Sequence, residues 1–199
     1  MRRILLSLLA TLAATLACTG IASAAGGNYS FDGGSLAQQT QVRAALDASS
    51  FNWSLVPTQI TIHIARGVDS EASKGNIWID ADLLNSGRFA WGTIQHEYAH
   101  QVDFFLLTDE QRTLTAPKLG GSAWWQTTTP TAHAQLTSER FASTLAWAYW
   151  NSNDNSMKPA NAKDEAAALP PAQFRDLLVS LLGPGAAPTA TRTLASAKH

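Results

Sequence analysis

Every strand signal in this chain falls within residues 59–80, and from Ser86 onward the apolar spacing is helical only. Residues 59–65 alternate, with Ile60, Ile62 and Ile64 on one face, the pattern of a half-buried strand. Residues 76–80 make a second short strand on Ile77, Trp78 and Ile79, after a polar stretch, residues 66–75, with two glycines. A helix is predicted before the strands, over residues 36–49, from the spacing of Leu36, Val42, Ala45 and Leu46. After them, a long helix opens at Ser86-Gly87 and runs to about Leu107. Thr108 caps the next, with Gln111 as its capping-box partner, and Gly120-Gly121 ends it. Residues 122–130 form a loop carrying Trp124 and Trp125. A further helix starts at Ala132 or Leu136 and reaches Trp150. Residues 151–168 are polar and irregular, and Pro170-Pro171 starts a last helix that Gly183 closes. This order, a helix, then strands, then helices only, predicts an α+β domain with a small sheet and a helical remainder.

The ends read differently. Arg2-Arg3, an apolar run over residues 4–17 and the small-x-small triplet Ala22-Ser23-Ala24 have the layout of a secretory signal peptide, residues 1–24, cleaved after Ala24. The run is shorter than the ~20 residues a spanning helix needs, which weighs against an uncleaved anchor and predicts a secreted, membrane-free product. Residues 25–35, rich in Gly, Ser and Asn, read as a flexible leader, and residues 184–199 as a disordered Ala/Pro/Thr tail. The domain proper is residues 36–183. Cys18, the only cysteine, lies in the signal; Leu16 before it makes a poor lipoprotein signal. The mature chain therefore has no disulfide and no thiolate ligand, and its stability rests on an apolar core. Removing Arg2 and Arg3 from the 14 basic residues leaves 12 against 15 acidic ones, a net charge of −3. Such a balance carries no electrostatic footprint for nucleic acid.

His96-Glu97-Tyr98-Ala99-His100 is an HExxH match in the middle of the long predicted helix. Positions i and i+4 lie one turn apart on one face, so both imidazoles can reach one metal ion. Zinc favours such nitrogen ligands, and Glu97 beside the first of them is the candidate general base. A third ligand cannot be a further histidine in line, since Gln101-Val102-Asp103-Phe104-Phe105 follows. Glu139, near the start of the next strong helix, is the candidate; Ala142, Ser143 and Ala146 on its helix allow a close approach to the HExxH helix. Asp103 shares the face of the two histidines, where a carboxylate can accept the outer N–H of a ligand imidazole. His63, among the isoleucines of the first strand, reads as an outer-face residue. Trp78 and Trp91 read as core or subsite walls, and Trp124-Trp125 as either cleft lining or loop packing.

The HEYAH motif, Asp103 three residues on and the downstream Glu139-Arg140-Phe141-Ala142 resemble the gluzincins, most nearly the catalytic domain of the anthrax lethal factor type and its secreted bacterial relatives. The resemblance covers about residues 59–150. It implies a zincin-like fold, with a small twisted sheet over a helical lower half and the active-site helix between them. It implies His96, His100 and Glu139 as ligands of one Zn2+ per chain, Glu97 as base, and a peptide or protein substrate aligned along an edge strand within residues 68–79. It departs from the family where a tyrosine precedes the glutamate ligand and stabilises the oxyanion. Ala132 stands there, and its neighbour His133 is the candidate donor instead; Tyr149 is more distant. The alternatives are a secreted zincin-fold binding module with little or no catalysis, which the intact Glu97 argues against, and a non-peptidase hydrolase on the same metal site.

Overall fold

The computed structural model describes residues 27–189 apart from 122, 127, 129 and 130. Residues 1–26, which include the expected signal peptide, and residues 190–199 lie outside the described residues. The fold is α+β: a four-stranded mixed sheet and five α-helices among the described residues. The strands are β1 (Tyr29–Gly33), β2 (Ile60–Ala65), β3 (Glu71–Ser73) and β4 (Asn76–Asp80), in the order β1-β2-β4-β3. β1, β2 and β4 are parallel; β3 runs antiparallel to β4 and forms an edge of the sheet.

The isoleucine alternation does what it predicts. Ile60, Ile62 and Ile64 are buried on one face, level with Ile77 and Ile79 of β4. That face joins one core with Val42, Ala45 and Leu46 of α1 (Leu36–Ala48) and with Ile94, Tyr98 and Val102 of α2 (Phe89–Leu106). On the other face His63 stacks on Trp78 with ring centroids 5.0 Å apart, and its Nδ1 lies 2.8 Å from Asp32 Oδ2. Trp78 is therefore neither core nor cleft wall.

The expected flexible leader carries β1 instead. Tyr29 pairs in register with Ile60 and Phe31 with Ile62, so both aromatic rings pack against the core, and Gly33 and Gly34 turn the chain at positive φ into Ser35. Ser35 then caps α1 in a capping box with Gln38. Two aromatics in a Gly/Ser/Asn setting give little periodic signal, and the partner strand lies 31 residues away. The expected disordered tail is likewise docked over its first residues. Pro184–Ala186 forms a 3-10 turn, Tyr149 donates its hydroxyl to Ala186 O (2.6 Å), and Thr189 N–H donates to Ser50 O (2.8 Å).

Local signals placed the remaining helices well. Thr108 and Gln111 form a capping box at the start of α3 (Asp109–Leu119), and Gly120 ends it in the left-handed conformation. α4 (Thr137–Tyr149) and α5 (Pro171–Leu182) follow, with Phe141, Leu145, Phe174 and Leu178 in the common core. Ala142 and Ala146 are fully buried, so α4 lies close against α2. No helix among the described residues is long and apolar enough to cross a membrane.

Candidate metal centre

α2 is buried on all sides through its middle, from Gln95 to Asp103, yet six of those nine side chains are polar or charged. A buried polar group without a partner costs folding free energy, so each needs an account. Gln95 Nε2 donates to Ala45 O (2.7 Å) and ties α2 to α1, while its Oε1 has no partner among the described residues. Gln101 accepts from Gly75 N–H (2.8 Å) and donates to Ser73 O (2.9 Å) and Asn76 O (3.1 Å), which pins the β3–β4 turn to α2. Asp103 is taken up by Arg112 and Trp124. What remains is His96, Glu97 and His100, and these three line an open cleft of about 420 Å³.

The cleft runs between β3 and the start of α4. Residues 70–74 form one rim; Phe104 and Trp125, stacked with centroids 5.3 Å apart, form part of another. Across the floor, Glu139 projects from the first turn of α4. His96 Nε2, His100 Nε2 and Glu139 Oε2 form a triangle: 3.2 Å between the imidazole nitrogens, 3.3 Å from His96 to the carboxylate oxygen and 3.2 Å from His100. These residues could hold a metal ion. In the protein without one, their charges are coupled. Burial would raise the Glu139 pKa, but hydrogen bonds and charge from His100 and His96 outweigh it and hold the carboxyl well below its ordinary range. Burial lowers the His100 pKa, and the hydrogen bond and charge of Glu139 more than reverse this. Glu97 goes the other way: burial raises its pKa and wins over the lowering by His96 and His100.

His133 opens the short 3-10 turn His133–Gln135 that leads into α4, and it lines the cleft. Its Nε2 lies 3.2 Å from Glu139 Oε2 and its Nδ1 3.0 Å from Glu165 Oε1. Asp103 does not take the place expected of it. Its carboxylate is fully buried and accepts from Arg112 Nε (2.8 Å) and Trp124 Nε1 (2.8 Å), while His100 Nδ1 has no partner among the described residues. A buried anion needs a cation, and Arg112 on α3 provides one where a neutral imidazole does not. No tyrosine lines the cleft: Tyr149 is committed to Ala186 O, and Tyr98 lies in the core. Trp124 packs on Phe141, Trp91 donates to Gln41 Oε1 (2.8 Å), and only Trp125 of the paired tryptophans reaches the cleft.

The sequence alone assigns no polar role to two residues of this region. Ser143 Oγ sits 2.9 Å from His96 Nδ1, although in the sequence it is merely a small residue on α4. Glu165 comes from the polar stretch after α4, where nothing in the local pattern sets one carboxylate apart from its neighbours. Compared with protein-family models, with curated proteins and with solved structures, the chain gives no significant match, so the functional reading rests on the residues of this cleft.

Proposed function

We propose that the protein is a secreted zinc metallopeptidase of zincin-like fold, with His96, His100 and Glu139 as metal ligands and Glu97 as general base. The observation that carries this reading is the triangle of donor atoms. Tetrahedral zinc with bonds of about 2.0–2.1 Å sets its donors roughly 3.3 Å apart, and the three sides are 3.2, 3.3 and 3.2 Å. Two imidazoles and a carboxylate are also a donor set that zinc takes in catalytic sites with one position left open. A zinc ion bound there supplies Lewis acidity, acidifying a water molecule and polarising a carbonyl oxygen.

The chain's own residues account for the rest. Glu97 takes a proton from water at its carboxylate and passes it to the departing amine nitrogen; the burial that raises its pKa makes it a better base. His133 directs Nε2 toward the same cleft and donates to the oxyanion in place of the absent tyrosine. The free edge of β3, on the cleft rim, offers backbone N–H and C=O groups to an extended peptide. The lack of a cleft tyrosine is what favours the rival, a zincin-fold binding module without catalysis. The test is zinc content together with cleavage of a mixed peptide library by the wild type, Glu97→Gln and Glu139→Ala. The peptidase reading expects one zinc per chain, cleavage abolished in Glu97→Gln with zinc kept, and zinc lost in Glu139→Ala. Stoichiometric zinc with no cleavage of any peptide favours the binding module, and absence of zinc refutes the peptidase reading.

A further inference from the structure

We propose that Glu165 is a positioning residue for this centre: through Ser143 it sets the tautomer of His96, and through its second oxygen it holds His133 over the cleft. The inference rests on the metal reading above. Its basis is a continuous run of polar atoms. His96 Nδ1 lies 2.9 Å from Ser143 Oγ, Ser143 Oγ lies 3.1 Å from Glu165 Oε2, and Glu165 Oε1 lies 3.0 Å from His133 Nδ1.

Counting protons gives the run a direction. An ionised carboxylate has none to donate, and a serine hydroxyl has one. Ser143 therefore gives its proton to Glu165 and accepts from His96 Nδ1–H. Met157 Sδ, 3.5 Å from Ser143 Oγ, is a weaker acceptor and does not compete with a carboxylate. With Nδ1 protonated, neutral His96 carries a bare lone pair on Nε2, the atom that faces His100 and Glu139. The form that a metal requires is thus the form that Glu165 enforces. His100 has no such support, since its Nδ1 has no partner among the described residues.

The fold gives Glu165 a fixed seat. It begins the 3-10 turn Glu165–Ala167, which Asp164 caps through Ala166 N–H. Ala166 is buried against α4, and Thr144 Oγ1 donates to Glu165 O (3.3 Å). The backbone is held independently of the side chain, so the carboxylate can be removed without taking away the turn's own contacts.

The experiment measures zinc affinity by competition with a chromophoric chelator for the wild type, Glu165→Ala, Ser143→Ala and the double variant, alongside the melting temperature of each zinc-free protein. Loss of an outer hydrogen-bond partner of a ligand histidine weakens metal binding about 10- to 100-fold. That drop is expected in both single variants, with the double variant no weaker than the weaker single one, because the two residues act in series. Glu165→Asp should recover less than Glu165→Gln, whose side chain keeps the length and an acceptor oxygen. A second measurement needs no variant: nitrogen-detected NMR of the zinc-free wild type should find the neutral His96 imidazole protonated at Nδ1. Wild-type affinity in both single variants, or His96 protonated at Nε2, overturns the assignment and leaves the metal reading standing. A wild type that binds no zinc overturns both.

Discussion

Replacing Gly92 with alanine sets two effects of opposite sign against each other. Gly92 lies in α2 one turn before His96. Helix propensity alone favours alanine there by about 1 kcal/mol. The surroundings oppose it. A Cβ at this position would overlap Asn155 Oδ1 and come within 2.5 Å of Ser156 Oγ and 2.7 Å of Ser156 N. Asn155 cannot easily yield: it is buried, its Nδ2 donates to Ala146 O (3.1 Å) and Trp150 O (2.8 Å), and its Oδ1 accepts from Met157 N–H (2.8 Å). Overpacking of this kind costs about 1–3 kcal/mol, and moving Asn155 weakens hydrogen bonds worth about 1 kcal/mol each. After the propensity gain is subtracted, the net effect is a destabilisation of roughly 2–3 kcal/mol. The assay is urea unfolding of the zinc-free protein followed by circular dichroism. Because the clash pushes α2 away from Asn155 and Ser156 one turn before His96, zinc affinity on the proposed reading should fall as well. A Gly92→Ala protein as stable as the wild type, or more so, would refute the reasoning: propensity would then outweigh the contact.

Three further outcomes are expected. Arg112→Met strands the fully buried Asp103 carboxylate with only Trp124 as donor, and urea unfolding should register a loss of about 3–5 kcal/mol. Gln101→Leu removes the three hydrogen bonds that pin the β3–β4 turn; on the proposed peptidase reading, KM for peptides should rise about tenfold or more while zinc content stays at the wild-type level. In the zinc-free protein, His100 and Glu139 impose opposite pH slopes. The raised pKa of His100 contributes stability that is complete below its ordinary 6.5 and is lost as pH rises through the raised value. The lowered pKa of Glu139 contributes stability that is complete above its ordinary 4.5 and drains away as pH falls below it. The contribution of this pair should therefore be greatest between those values, and the difference in melting temperature between wild type and Glu139→Gln, with chelator present, should peak there.

Patterns that repeat over short distances could be read directly from the chain. The isoleucine alternation of β2, the capping box at Thr108 and Gln111, the glycine stop at Gly120 and the HExxH spacing on α2 all depend on neighbours within a turn or two, where backbone geometry leaves few options. Glu139 could be singled out because a helix start with small residues behind it can approach a second helix, and its carboxylate does face the two histidines. Contacts between distant segments could not be read this way. Whether Tyr29 and Phe31 form a strand depends on the exposed edge of β2, to which β1 pairs. Whether Asp103 serves a histidine or an arginine depends on where α3 lays Arg112, and burial made the charged partner the stronger claimant. Glu165 is one of several acids in an irregular stretch, and only the docking of its turn against α4 brings it within reach of Ser143 and His133. Chain connectivity sets the spacing of His96 and His100 within one helix; the groups that orient their rings come from elsewhere, and their selection is a matter of packing.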